Sequence, residues 1–410
     1  MQRSIRSLRP GWKALLVLAA VAAACVFTET LGPISIPIAP GTGILNAGVG
    51  LEDGQPADIV FTVPDGVSVT QVLLYWSHET ILGVGDDTIR VNGIDVTGDL
   101  IGGPAYFFDF RGDPVDVYGF RADISALGLV TPGLNTLTID GLDTQVSTPG
   151  TGAHGAGVFV IYDDGGPLAD IEIFEGVDLA FCSFPEPRGS TVPQTFSFAP
   201  ESQDRVGDLL LFVGSVSPDR GSEIPVAFDV GAPYSIFDAI TADEGRLFDS
   251  VALALDIPAG ASQLTTSVQS ANAAGTCPGS PLNQSVTWLA AAFSAPGIPE
   301  EGCTPGYWKQ DHHLDSWVGY APTDDYETVF GVDAPFTLDL QDTMWLEGGQ
   351  EEALGRHSVA ALLNAVHPDV DYAYTEAEVI QLVQDAYASG EIEETKDLFE
   401  AANEQFCALD

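Results

Sequence analysis

From about residue 34 to residue 295 the apolar residues fall in short runs, some alternating and some continuous, between clusters of Gly, Pro, Asp and Ser. Runs at 59–63, 69–76, 88–91, 134–139, 158–162, 171–174, 209–213, 226–230, 251–257 and 286–293 predict strands. No stretch there carries a convincing 3.6-residue period. Many short strands joined by turn chemistry predict a β-sandwich or jelly roll. The region is long for one small sandwich. The Asp163-Asp164-Gly165-Gly166-Pro167 turn is the place to divide it, into lobes at 34–166 and 167–295, with one extended sandwich as the rival.

A Pro/Gly linker at 296–302 follows, and the pattern changes. Val359, Leu362, Leu363 and Val366 share one helix face, and His367-Pro368 ends that helix. Thr375 and Glu378 form a capping box, and Gly390 closes the second helix. Leu398, Ala402 and Phe406 predict a last helix over about 393–406. The fold class is therefore mainly β: sandwich or jelly-roll lobes followed by a small α-helical module at 303–410.

The N-terminus has another pattern. Arg3, Arg6, Arg9 and Lys13 precede an uncharged apolar run at 14–27 that ends near Ala22-Ala23-Ala24-Cys25. This reads as a secretory signal over residues 1–25. The run is shorter than the roughly 20 residues of a membrane span, and no later run approaches that length. After signal removal no membrane span is expected. Cys25 leaves two outcomes open, lipidation at a poor lipobox or ordinary cleavage.

Composition narrows the partners. The 410 residues carry a formal net charge of −45 with only three lysines, Lys13, Lys309 and Lys396. Such charge repels nucleic acid and anionic lipid and suits divalent cations, high salt or simple solubility. The apolar fraction of 45% is enough for a core and excludes general disorder. Apart from Cys25 the cysteines are Cys182, Cys277, Cys303 and Cys407. An even set in an exported chain reads as disulfides, with three connectivities open. The domain layout favours Cys182–Cys277 and Cys303–Cys407.

Two regions resemble known proteins. Cys303-Thr304-Pro305-Gly306-Tyr307-Trp308-Lys309, the helix with Ala360-Ala361-Leu362-Leu363-Asn364, and the closing Asn403 and Cys407 resemble a C-terminal module of bacterial exported and surface proteins. That family implies a compartment and a boundary, and no activity. Val72-Leu73-Leu74-Tyr75-Trp76-Ser77, the segment from Ala156 to Asp164, and Ile171 to Asp178 are similar to uncharacterised β-rich ectodomains of bacterial and archaeal surface proteins. Arg90-Val91-Asn92-Gly93, Phe120-Arg121-Ala122-Asp123-Ile124 and Gly133-Leu134-Asn135-Thr136-Leu137 resemble the galactose-binding-like jelly rolls that accompany glycosidases. Independently of any family, Asn92-Gly93 between β-prone runs predicts a type I′ turn.

Candidate chemistry is sparse. Asp109, Asp113 and Asp116 sit in a Gly/Pro loop where carboxylates suit calcium, against a plain role as turn formers. Asp86-Asp87, Asp163-Asp164 and Asp324-Asp325 have the same two readings. His312-His313 offers imidazole to zinc or copper, but lacks HExxH spacing and a free Cys, which favours a polar surface loop. Tyr307, Trp308, Trp317 and Tyr320 form either a sugar platform or, more in keeping with a small module, its core. His357 reads as a partly buried histidine. No nucleophile elbow or P-loop is present, and Gly150 to Gly157 is not placed between a strand and a helix. The expectation is an exported, non-enzymatic surface or matrix protein for adhesion or assembly, with surface polysaccharide or other surface proteins as partners. A calcium-dependent carbohydrate-binding protein and a secreted hydrolase with an unrecognised site are the alternatives.

Overall fold

The computed structural model describes residues 30–83, 85–142, 152–185, 188–201, 203–279, 282–297 and 301–409. The signal segment and Cys25 lie outside them. Among the described residues the strands form four antiparallel sheets, two in each lobe.

In the first lobe a five-stranded sheet has the order Gly43–Gly50, Gly152–Asp163, Ser68–Thr80, Asp113–Asp123, Asp99–Phe110. A four-stranded sheet has the order Ala57–Val63, Gly133–Asp140, Thr88–Val91, Ile94–Thr97. In the second lobe Asp170–Ala180, Val286–Ala295, Arg205–Gly214 and Phe248–Ile257 are neighbours in one sheet. Gln194–Ser197, Gln263–Thr266, Glu223–Phe228 and Tyr234–Phe237 make the other. Taken in chain order, with Asp99–Phe110 and the edge strand Gly32–Pro33 set aside, the lobes have one topology. Strands 1, 8, 3 and 6 form one sheet, and 2, 7, 4 and 5 form the other. That is the double Greek key of a jelly roll, so the chain holds two jelly rolls of matching strand order.

Each lobe has its own core. Leu74, Trp76, Phe120 and Val158 pack on Ile59, Phe61, Ile89 and Leu137 in the first. Leu211, Val213, Trp288 and Phe293 pack with Phe196, Ile224, Val226 and Leu264 in the second. The two five-stranded sheets then face each other. Leu73, Tyr75, Phe159 and Ile161 meet Leu210, Phe212, Phe248 and Leu289 in a third core between the lobes. The molecule is thus a four-layer stack, and its two inner sheets are buried on both faces. This explains the continuous apolar runs at 72–76 and 209–213. Successive side chains point to opposite faces, and here both faces are dry. Burying each such side chain contributes roughly 1.5–3 kcal/mol.

Glycines in the first inner sheet let the layers approach. A Cβ on Gly157 would run into the Phe212 ring, and one on Gly155 into Phe248. The Gly-rich segment is therefore part of a strand, Gly152–Asp163, and makes room for aromatic rings from the other lobe. The segment after Gly32–Pro33 also ties the lobes. Gly32 pairs with Glu175, while Ile34, Ile36 and Ile38 lie against the central core.

Asn92 (φ 49°) and Gly93 (φ 80°) form the expected left-handed turn. The 109–116 segment corrects an expectation. It is no Gly/Pro loop but the tip of a hairpin between Asp99–Phe110 and Asp113–Asp123, turned at Arg111 (φ 54°) and Gly112 (φ 97°). Alternation decides this: Ala105, Phe107, Val115 and Val117 are buried, with exposed or half-buried residues between them.

The module at the C-terminal end carries helices Glu351–Val366, Glu376–Ser389 and Ile392–Asn403, preceded by short turns of helix. The Thr375/Glu378 capping box forms, and Gly390 (φ 86°) closes that helix. No helix among the described residues is long and apolar enough to cross a membrane.

Candidate functional site

The disulfides are Cys182–Cys277 and Cys303–Cys407, with Cα atoms 5.7 Å and 4.6 Å apart. Both are the mark of an oxidising compartment. The second closes the helical module around a polar centre. Asn364 Oδ1 accepts from Cys303 N–H (3.0 Å) and Trp308 Nε1 (2.9 Å), while its Nδ2 donates to the Cys303 carbonyl (2.9 Å) and Asn403 Oδ1 (2.9 Å). Asn403 Nδ2 in turn reaches the His357 carbonyl at 2.9 Å. Asn364, Asn403, Cys303 and Trp308 are completely buried. The residues that carry the module's resemblance thus converge on one structural hub, in which Asn364 uses both ends of its amide. Thr304 caps the turn at Pro305–Trp308.

The remaining sequence candidates have local roles. Tyr307, Trp317 and Tyr320 pack against the module core with Trp308. His313 stacks on Tyr307 at 3.9 Å, and His312 lies beside His313 in a 3₁₀ turn. His357 is half-buried, and burial lowers its pKa. Asp163 and Asp164 accept from Gly165 and Gly166 N–H groups, and Asp325 caps a short helix. Asp109 and Asp113 are exposed, and Asp116 lies further along its strand opposite Tyr106. Among the described residues no group of three or more His, Cys, Asp or Glu side chains is arranged to hold a metal ion, so these three Asp do not converge.

Two buried polar clusters cross the central seam. Arg121, 1% exposed, donates to Glu175 Oε1 (3.2 Å) and Asp99 Oδ2 (3.1 Å), while Tyr75 Oη donates to Glu175 Oε2 (2.9 Å). Burial raises the Glu175 pKa, and the Arg121 charge opposes that rise. Burial, and then the Glu175 charge, raises Tyr75 well above the ordinary phenol value. The second cluster centres on fully buried His154. Ser77 Oγ is 3.1 Å from Nδ1, Ser215 Oγ is 3.2 Å from Nε2, and Thr287 Oγ1 is 2.8 Å from Ser215 Oγ. Glu79 also lies 3.6 Å from Nε2. The cluster is a sealed cross-link between lobes, since the hydroxyls can complement either tautomer.

An open cleft lies at the loop end of the second lobe. Its strand connections meet there. Cys182–Cys277 joins two of them, and Gly221 bridges Asn283. Fully buried Gln284 holds two more, accepting from Ser217 N–H (3.0 Å) and donating to the Ser217 (2.7 Å) and Ile240 (3.3 Å) carbonyls. Between these clamped segments opens a cleft of about 420 Å³, lined by Pro218, Asp219, Arg220, Asp238, Ile240, Thr241 and Asp243. Its backbone is strained: Asp219 (φ 60°), Asp238 (φ 57°) and Ala242 (φ 55°) are left-handed without being glycine. Such residues cost on the order of 1–3 kcal/mol each and gather at ligand-binding loops.

Sequence reasoning passed over every one of these cleft residues. Ser217-Pro218-Asp219-Arg220-Gly221 reads as an ordinary turn, and only the jelly-roll strand order brings it beside 238–243. A weak signal existed, because Asp tolerates left-handed backbone better than most residues.

No family model and no curated protein matches this chain. Among solved structures it is similar to an uncharacterised protein from Listeria monocytogenes (8% identity, TM-score 0.20), over 58% of this chain and 19% of that one. It is also similar to β-glucuronidase 2 from Bacteroides uniformis (10% identity, TM-score 0.17), over 86% of this chain and 46% of the other. The chain spans less than half the length of either protein, and likeness at this level carries no functional argument.

Proposed function

We propose that this chain is an exported, non-catalytic surface or matrix protein that adheres through the loop end of its second lobe, with surface polysaccharide as the ligand class. The observation that supports this reading is the 420 Å³ cleft between clamped loops. Its volume lies within the roughly 300–1,000 Å³ of small-molecule sites. Asp219, Asp238 and Asp243 supply planar acceptors, Arg220 a forked donor and Thr241 a hydroxyl, which together match the paired hydroxyls of a sugar. Ile240 and Pro218 offer apolar surface to a ring face. Loops on a rigid scaffold are where binding residues concentrate, and the four-layer stack is such a scaffold. After export the N-terminus is either lipid-anchored through Cys25 or cut free, and mass spectrometry of the mature N-terminus distinguishes the two.

The test is a glycan array probed with the mature chain, run in calcium and in chelator. Binding that falls tenfold or more in Asp238→Asn and Arg220→Ala supports the reading. No binding by the unaltered protein overturns it. Cleavage of the bound glycan replaces it with a hydrolase, and binding seen only in calcium adds the cation as a cofactor.

A further inference from the structure

The cleft wall and the seam between the lobes share the connection from Phe237 to Phe248, and Glu244 on it meets Asp249 at the start of the strand that follows. Asp249 is 3% exposed, and its Oδ2 accepts Thr241 N–H (2.5 Å) and Ala242 N–H (2.9 Å). Glu244 is hydrogen-bonded to Asp249 and accepts Ser250 Oγ (2.5 Å) and Ser250 N–H (3.2 Å). The Glu244 carbonyl accepts Gly50 N–H of the first lobe at 2.9 Å. Nearby, Ser215 N–H reaches the Leu247 carbonyl (2.9 Å) and Leu247 N–H the Val216 carbonyl (3.0 Å). Gly50 is packed so closely that a Cβ there would strike the Gly245 and Arg246 backbone. One segment thus presents Thr241 and Asp243 to the cleft and Glu244 to the other lobe.

We propose that Glu244 and Asp249 form a proton-operated latch: with one proton between them they seat this connection on Gly50 and set the cleft wall, and loss of the proton loosens both. Asp249 Oδ2 already accepts two backbone donors, and Glu244 is the titrating group. Burial first, and then the bond to Asp249, raise the Glu244 pKa to about 7. Two carboxylates this close cannot both ionise without repulsion.

The surrounding charges do not neutralise a second carboxylate. Asp243 lies on the same connection. Arg246 also does, but its Nε is turned to Glu52 of the first lobe at 3.4 Å. On the central sheet, His154 faces Ser77, Ser215 and Glu79. At the cleft, Arg220 reaches the Asn283 carbonyl at 3.4 Å, beside Asp219 and Asp238.

The latch is independent of any ligand, so its test does not depend on the sugar reading. Hydrogen exchange on the full mature chain reports protection factors for the Gly50, Ser215 and Leu247 amides at pH 5.5 and 8.5. Those in the Ala57–Val63 strand serve as reference. In the unaltered protein the three amides should lose about tenfold or more in protection at the higher pH, as expected for local opening, while the reference stays constant. Glu244→Gln removes the titration, keeps a donor for Asp249 and one acceptor oxygen for Ser250, and should abolish the pH dependence. Asp249→Asn leaves Glu244 titratable without its carboxylate neighbour, so it should reduce the pH dependence, and it stands in if the first variant fails to fold. Equal protection at both pH values in the unaltered protein, or an unchanged pH dependence in either variant, overturns the proposal.

Discussion

The two lobes have the same strand order and are fastened differently. In the first, the described residues hold no disulfide, and Gln55 joins two connections, accepting from Leu142 N–H (3.0 Å) and donating to the Leu142 carbonyl (3.1 Å). In the second, Cys182–Cys277 and the buried Gln284 clamp the loop end, and the strained cleft lies there. The equivalent inner strands, Ser68–Thr80 and Arg205–Gly214, do the same work. Each sends alternate residues into its own core, Leu74 and Trp76 or Leu211 and Val213. The others, Leu73 and Tyr75 or Leu210 and Phe212, enter the shared seam. Apolar burial therefore accounts for what the lobes have in common. A glutamine side chain clamps connections in both lobes, and a covalent clamp is added in the second, at the loop cluster with the strained cleft.

The largest expected effect tests the seam on which both lobes depend. Arg121→Met leaves Glu175 buried without its partner guanidinium and should cost about 3–5 kcal/mol, the usual penalty for breaking a buried pair from one side. Urea unfolding should show it, with the midpoint falling for both lobes. If only the first lobe responds, the seam is not shared. Next is the clamp present in one lobe only. Replacing Cys182 and Cys277 together by Ser should cost roughly 2–5 kcal/mol. Hydrogen exchange should place that loss in the second lobe, and equal loss in the first would contradict the comparison.

Gly157→Val puts a branched side chain against the Phe212 ring and should cost about 1–3 kcal/mol through overpacking. Its signature is a single thermal transition splitting into two as the lobes part. The smallest effect is that of pH. Glu244 is raised from 4.5 to about 7 when folded. The folded state then holds the extra proton between those values, so its stabilising effect is complete below pH 4.5 and lost as pH rises through about 7. Allowing for partial solvent screening, the change is on the order of 1–2 kcal/mol. Melting of the second lobe at pH 5 and pH 8 measures it, and a higher melting point at pH 8 would reverse the sign.

Much of the fold is legible along the chain. Continuous apolar runs at 72–76, 158–162 and 209–213 announce the inner strands, Asn92-Gly93 announces its turn, and Thr375, Glu378 and Gly390 mark a helix. Strands such as Gln194–Ser197, Tyr234–Phe237 and Gln263–Thr266 escape notice because they are short and partly polar. The hairpin at 99–123 is hidden by Gly103, Pro104, Gly112 and Pro114, which read as loop until Ala105 and Phe107 are seen to be buried. The cleft escapes altogether. Asp219 and Asp238 are ordinary turn residues until two distant connections are folded side by side.

The sequence by itself determined the class of the molecule, the change from β lobes to a helical module and the presence of four cysteines to pair. These depend on local period, turn chemistry and composition, which neighbouring residues carry. Tertiary structure alone decided that the lobes repeat one topology, that their inner sheets stack, and that Gly155 and Gly157 are recesses for Phe248 and Phe212. It also decided that Glu244 meets Asp249 beside Gly50, and that Asp219, Arg220, Asp238 and Asp243 share one cleft. Those facts depend on contacts between segments far apart in the chain, where sheet pairing and close packing, not local preference, choose the neighbours.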